Sequence, residues 1–175
     1  MALVEQQRLD QLESNIKDMW DYESILYVGA CKERFHFKDK IEENFKLVDI
    51  IEIDKDRCEY LKNNITFIDN VYNEDVRNID KLNLNKYDVI MWSHGPEMIP
   101  REDFETTINK LIDITKYLIV LMCPWGEYKY KSTKGLKYWN MTALYPTDFT
   151  QLGFNVSTIL KMNEIGSNLI AWKYI

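Results

Sequence analysis

No apolar run in this 175-residue chain approaches the ~18–20 residues that cross a bilayer, and the longest, such as Tyr117 to Pro124, are strand-sized. The opening Met-Ala-Leu-Val-Glu-Gln-Gln-Arg has no basic stretch followed by an apolar one, so no signal peptide and no membrane partner are expected. Cysteine is scarce: Cys31, Cys58 and Cys123 lie far apart with no Cys-x-x-Cys pair, and His36 and His94 have no His or Cys at ligand spacing. A structural zinc site is therefore not expected. An odd cysteine count without a secretion signal points to a reducing, cytoplasmic compartment, with the thiols acting as small core hydrophobes. The 6 glycines and 4 prolines are scattered, and no repeat, low-complexity tract or linker marks a boundary. Basic clusters are missing as well. A net charge of −6 and a pI near 5.0 argue against duplex nucleic acid as a partner.

What is present is core-forming material. With 46% hydrophobic and 13% aromatic residues, the chain is not a disordered one, and its length suits a single domain over 1–175. Leu9, Leu12, Ile16, Met19 and Trp20 recur at spacings of three and four, which predicts an amphipathic helix within residues 1–22. Ser24 to Gly29 reads as a buried strand ending in a turn, and Phe37 to Phe45 as a short helix. Leu47 to Ile53 is a second strand, nearly continuous in apolar content as parallel strands are. Asp54 then stands as N-cap of a helix ended by Asn63-Asn64. Ile65 to Ile68 is expected as the third strand and Tyr87 to Trp92 as the fourth. A helical stripe from Arg101 to Lys116 leads into Tyr117 to Met122, the most apolar strand. Pro146 to Leu152 is a short helix stopped by Gly153. Phe154 to Leu160 and Asn168 to Tyr174 close the chain, joined by a Gly-Ser turn with no room for a helix, and so form an antiparallel hairpin. Strands alternating with helices imply a doubly wound α/β fold with helices on both faces of a mostly parallel sheet.

In such a sheet ligands bind beyond the carboxyl ends of the strands, where the strand order reverses. Five strand ends carry candidate residues. Gly29 after the first strand allows a sharp turn and close backbone approach, or is simply a strand-to-helix turn. Glu52 and Asp54 compete for the carboxylate that would accept bonds from ribose hydroxyls. Asp54 is better placed as an N-cap, which favours Glu52. Asn73-Glu74-Asp75-Val76 offers another carboxylate, either for an exocyclic amine or as a solvated loop acid. Trp92-Ser93-His94-Gly95-Pro96-Glu97-Met98 crowds Ser, His and Glu together. Neighbours in sequence rarely form a working triad, and no Gly-x-Ser-x-Gly elbow supports a hydrolase. Cys123-Pro124-Trp125-Gly126-Glu127-Tyr128 opens an aromatic and basic stretch through Trp139 that suits either a substrate-covering loop or irregular surface.

Together, Ile-Leu-Tyr-Val-Gly at 25–29, Ile-Glu-Ile-Asp-Lys-Asp at 51–56, Asn-Glu-Asp-Val at 73–76, Tyr-Asp-Val-Ile-Met-Trp-Ser-His-Gly-Pro-Glu at 87–97 and Tyr-Pro-Thr-Asp-Phe-Thr-Gln-Leu-Gly-Phe at 145–154 form a pattern. From about Ile25 to Ile175 the chain resembles the class I S-adenosylmethionine-dependent methyltransferases. The resemblance implies a Rossmann-like seven-stranded sheet of order 3-2-1-4-5-7-6 with strand 7 antiparallel, and S-adenosylmethionine as cofactor. By the same resemblance Gly29, Ala30 and Cys31 would lie against the methionine part, Glu52 and Ile53 at the ribose, Asp75 and Val76 at the adenine, and Ser93 and His94 at the cofactor and substrate mouth. His94 is the histidine placed to act as a base toward a hydroxyl acceptor, or to shape its loop through a structural hydrogen bond. The Asn/Asp-Pro-Pro-Tyr signature of base-modifying enzymes is absent, which favours a small-molecule or glycan acceptor. One departure stands out: the family's first loop carries two or three glycines, whereas Gly29 is followed by Ala30, Cys31, Lys32, Glu33 and Arg34. The rival reading is a non-catalytic binding domain that kept the fold and lost the donor site. A nicotinamide oxidoreductase is disfavoured, since Gly-x-Gly-x-x-Gly is missing and the chain closes with a hairpin.

Overall fold

The computed structural model describes residues 2–31, 35–126, 142–159 and 168–175. Its elements are α1 (Ala2–Asn15), β1 (Ser24–Val28), α2 (Lys38–Asn44), β2 (Leu47–Glu52), α3 (Lys55–Asn64), β3 (Asn70–Asn73), β4 (Tyr87–Ser93), α4 (Arg101–Asp113), β5 (Thr115–Pro124), α5 (Pro146–Thr150), β6 (Asn155–Ile159) and β7 (Asn168–Tyr174). Two 3₁₀ segments, Val76–Leu82 and Pro96–Met98, follow β3 and β4. The seven strands form one sheet of order β3-β2-β1-β4-β5-β7-β6, in which β7 runs antiparallel to both neighbours. The expected order and hairpin are both found. The Gly-Ser turn of the hairpin lies outside the described residues.

Alternation along the strands feeds two cores. Ile25, Tyr27, Val48, Ile50, Val89, Met91, Leu118 and Val120 point to the face covered by α1, α2 and α3, where Leu12, Ile16, Ile41 and Leu61 meet them. Leu26, Val28, Ile51, Ile90, Trp92, Ile119 and Leu121 point to the other face, beneath Ile79, Phe104, Ile108, Leu111 and Phe149. Strands buried on both sides explain the near-continuous apolar runs of the sequence. At the amino edge of the sheet, Asp88 accepts from the Ser24 and Glu23 N–H groups at 2.9 and 3.2 Å and pairs with Lys116 at 3.0 Å, clamping the starts of β1, β4 and β5.

Two elements differ most from expectation, and the other boundaries shift by up to three residues. The helix expected within 1–22 ends at Asn15, and Ile16, Met19 and Trp20 pack from the turns that follow. Ser14 Oγ and Asn15 Nδ2 both donate to the Gln11 carbonyl, at 2.9 and 2.7 Å, and this competition for a helix acceptor favours termination. The third strand is Asn70–Asn73 rather than Ile65 to Ile68. Ile65 closes α3 by donating to the Leu61 carbonyl, and Ile65, Phe67 and Ile68 press on the core with their side chains. An edge strand needs little apolar content to pair, so the polar run Asn-Val-Tyr-Asn forms it.

Candidate functional site

The ladder brings the strand tips into one row. Val28 pairs with Ile51 on one side and Trp92 on the other, so Gly29 lies between Glu52 and Ser93, each one residue further along. Glu52 continues to Asn73 on β3, and Ser93 to Met122 on β5. The row crosses the point where strand order reverses between β1 and β4, the place at which open α/β sheets bind ligands. Four sequence-predicted residues are thus gathered: Gly29, Glu52, Ser93 and, just beyond, His94.

Gly29 has φ +81° and its N–H reaches the Ile51 carbonyl at 2.8 Å. Among the described residues, a Cβ placed on it would meet nothing within 4 Å. Ala30 and Cys31 are buried behind it. Lys32, Glu33 and Arg34, the residues that replace glycines of the first loop, lie outside the described residues.

Glu52 is buried at the tip of β2. Its Oε1 accepts from the Asp54 N–H at 2.8 Å and lies 3.8 Å from an Arg57 nitrogen. Burial pushes its carboxyl above the ordinary value, against the pull of the Asp54 N–H and the Arg57 charge. Cys58 donates its thiol to the Glu52 carbonyl at 3.2 Å and Asn73 Nδ2 donates to the carbonyls of Glu52 and Ile53, so the strand tip is held from both sides. Ile53 leaves 44% of its surface exposed beside this carboxylate. Asp54 is the N-cap of α3, accepting from the Asp56 and Arg57 N–H groups, the placement expected for it.

Asp75 is more heavily engaged than its sequence context suggests. Both of its oxygens accept from Arg77 Nε, at 3.1 and 3.0 Å, and Oδ1 also caps the Arg77 N–H at 2.9 Å. Burial alone would raise its carboxyl, but the bonds from Arg77 hold it below the ordinary value. Arg77 passes on to Asp103 of α4 at 2.9 Å. Val76 is buried in the core next to it.

The β4 end of the row is built around His94, which adopts φ +53°, a left-handed conformation uncommon for a non-glycine residue. Its N–H reaches the Met122 carbonyl at 2.8 Å, extending the β4–β5 ladder into the turn. Gly95 follows, and a Cβ there would stand 1.6 Å from the Trp92 indole nitrogen, so only glycine lets the chain fold back over that ring. The 3₁₀ turn then brings Glu97 Oε1 to 3.5 Å from His94 Nδ1. The His94 ring contacts the ring of His36, centroids 5.4 Å apart, and His36 Nδ1 lies 3.7 Å from Glu5 of α1. Tyr27 accepts from the His36 N–H at 3.2 Å, with Ser93 beside it. His36, Glu5 and Glu97 were not among the candidate residues of the sequence. Glu97 stood in plain view within the fourth-strand motif, but His36 reaches the site only through the fold.

Thr142 closes the far side, its hydroxyl donating to the Ile99 carbonyl at 2.6 Å and its N–H to the Glu97 carbonyl at 3.2 Å. The stretch running through Trp139, read as a covering loop, lies for the most part outside the described residues. Among the described residues no group of three or more His, Cys, Asp or Glu could hold a metal ion, and no helix is long and apolar enough to cross a membrane.

No protein-family model matches the chain, and no curated protein matches it in sequence. Solved structures do match in fold. The N-methyltransferase NodS from Bradyrhizobium japonicum WM9 superposes with a TM-score of 0.69 at 14% identity, over 97% of this chain and 95% of that one. A DhpI–SAH complex gives a TM-score of 0.67 at 7% identity, over 99% and 87%. Magnesium protoporphyrin IX methyltransferase (ChlM) from Synechocystis PCC 6803, with bound SAM, gives 0.64 at 12% identity, over 97% and 78%. The chain therefore has the Rossmann-like fold of S-adenosylmethionine-dependent methyltransferases.

Proposed function

We propose that the protein is an S-adenosylmethionine-dependent methyltransferase whose acceptor is a small molecule or glycan carrying a hydroxyl group. The observation that carries this reading is the turn at Gly29, whose missing Cβ would meet no described residue, set beside the buried carboxylate of Glu52, in a sheet whose order is that of the methyltransferase fold. Solved neighbours of the same fold, a DhpI complex and ChlM among them, are described with SAH or SAM bound, which supports the choice of cofactor.

The residues present suit that group. Glu52 accepts from the Asp54 N–H and lies 3.8 Å from an Arg57 nitrogen, and the two oxygens of a carboxylate offer about four acceptor positions, which leaves capacity for ribose hydroxyls. Ile53 offers an exposed apolar surface next to it, and Val76 with Asp75 bound the adenine side. The turn at Gly29, with Ala30 and Cys31, presents backbone where the methionine portion would lie. When bound, the cofactor supplies a methyl group on a sulfonium, an electrophile strong enough to need little covalent help.

The chain's own contribution is then orientation and proton removal. Holding a hydroxyl oxygen in line at near-attack distance is worth several kcal/mol in such a displacement, on the order of 7–11 in well-oriented cases. His94, at the tip of β4 on the acceptor side of the row, is the base toward that hydroxyl, and its fixed backbone keeps the ring there.

The experiment is a calorimetric titration with S-adenosylhomocysteine at up to millimolar concentration, paired with a thermal shift. Binding with stabilisation is expected. Glu52→Ala should weaken it tenfold or more, since a hydrogen bond to a charged group contributes about 1.5–3 kcal/mol. A chain that neither binds nor is stabilised is instead a methyltransferase-like binding domain.

A further inference from the structure

Glu97 is the least satisfied charged group near the site. Its side chain is 4% exposed, and among the described residues its Oε2 has no hydrogen-bond partner. Its one ion pair among those residues is with His94 Nδ1, at 3.5 Å. The groups around the pair do not compete. Cys123 of β5 is a neutral thiol, pushed up by burial and by the Glu97 charge. Tyr27 of β1 is a neutral hydroxyl whose ionisation burial opposes. His36, in ring contact with His94, faces its own carboxylate on α1, Glu5. A buried carboxylate without a cation is costly, and one proton on the facing imidazole nitrogen removes most of that cost.

We propose that Glu97 is a positioning residue for His94: its carboxylate holds the proton of the ring on Nδ1, so that Nε2 carries the lone pair and is the basic nitrogen of the acceptor site. The role of that lone pair in catalysis rests on the methyltransferase reading above, whereas the pairing itself does not. When an acceptor hydroxyl gives up its proton, the O–H electrons stay on oxygen and the proton forms a bond to Nε2. The resulting imidazolium is stabilised by Glu97 at its other nitrogen.

The test is a long-range ¹H–¹⁵N correlation spectrum of the full-length, ¹⁵N-labelled protein at a pH of about 8, above the ordinary imidazole range. Two histidines make the spectrum simple, and His36→Asn assigns the signals. Wild-type His94 is expected in the Nδ1–H form. Glu97→Leu should move it to Nε2–H with the His36 signals unchanged, and Glu97→Gln, which keeps an acceptor oxygen, should restore Nδ1–H. A wild-type His94 in the Nε2–H form overturns the proposal whether or not the variants fold, and so does a tautomer indifferent to Glu97→Leu. The spectrum needs no ligand. A failed S-adenosylhomocysteine titration would therefore remove the methyltransferase reading and leave the dyad, and a wrong tautomer would do the reverse.

Discussion

Gly29 and Gly95 follow the tips of neighbouring strands, and each is glycine for a different reason. At Gly29 the constraint is conformational: φ is +81°, and an added Cβ meets nothing within 4 Å among the described residues. Gly29→Ala should therefore lose only the backbone preference of about 1–2 kcal/mol. It should lose much more in S-adenosylhomocysteine affinity, since the new methyl stands in the hollow the ligand would use. At Gly95 the backbone is ordinary and the constraint is steric, with the Trp92 indole 1.6–2.5 Å from the missing Cβ. Trp92 is 2% exposed and has nowhere to go, so Gly95→Ala should destabilise by about 1–3 kcal/mol through overpacking. Urea unfolding and calorimetry on both variants separate the two. A Gly95→Ala protein as stable as wild type, or a Gly29→Ala protein that binds undiminished, would contradict the assignment.

At the scale of elements, the sheet is cross-tied by a buried acid. Asp49 in β2 accepts from Asn70 Nδ2 at 2.9 Å and Tyr72 at 3.3 Å on β3, and from Tyr87 at 2.5 Å on β4, across the intervening β1. Burial and the Asp49 charge together push the Tyr87 hydroxyl far up, so it remains a donor at every working pH. Tyr87→Phe should lower stability by about 1.5–3 kcal/mol in urea unfolding, the value of a hydrogen bond to a charged group. Tyr72→Phe, with the longer bond, should lose less. Equal losses, or none from Tyr87, would show that Asp49 is satisfied without it. None of this network was legible in the sequence, whereas β1, β2, β4 and β5 were, because strands buried on both faces read as apolar runs. The third strand was misplaced for the converse reason: Ile65, Phe67 and Ile68 are apolar because they pack on the core, while the paired residues are polar edge residues. The site divides the same way. Gly29, Glu52, Ser93 and His94 were legible because strand ends can be counted. The grip of Arg77 on Asp75 and the contact of His36 with His94 depend on side-chain directions and on pairings between residues distant in the chain.

For the molecule as a whole, the titrating groups pull stability in opposite directions. Burial would raise the carboxyls of Asp75 and Asp88, yet the bonds from Arg77, and from Lys116 and Ser24, hold both below their ordinary values, and Arg101 does the same for Asp148. Each contributes stability that is present above an unfolded value of about 3.9 and is lost as pH falls through the lower folded one, so acid unfolding should set in below about pH 4. Glu52 has the other sign. Its folded value is raised by burial, so its contribution is complete below an unfolded value of about 4.3 and declines as pH rises through the folded one. At neutral pH the protein therefore holds a charged Glu52 at the expense of stability. On the proposed function, the ribose hydroxyls of the cofactor are the reason for keeping it. Glu52→Gln should accordingly be more stable than wild type in urea at pH 7, with the difference closing near pH 4, while its affinity for S-adenosylhomocysteine falls. If the variant gained nothing at pH 7, Glu52 would be compensated by its own neighbours, and the carboxylate would no longer be waiting for a sugar.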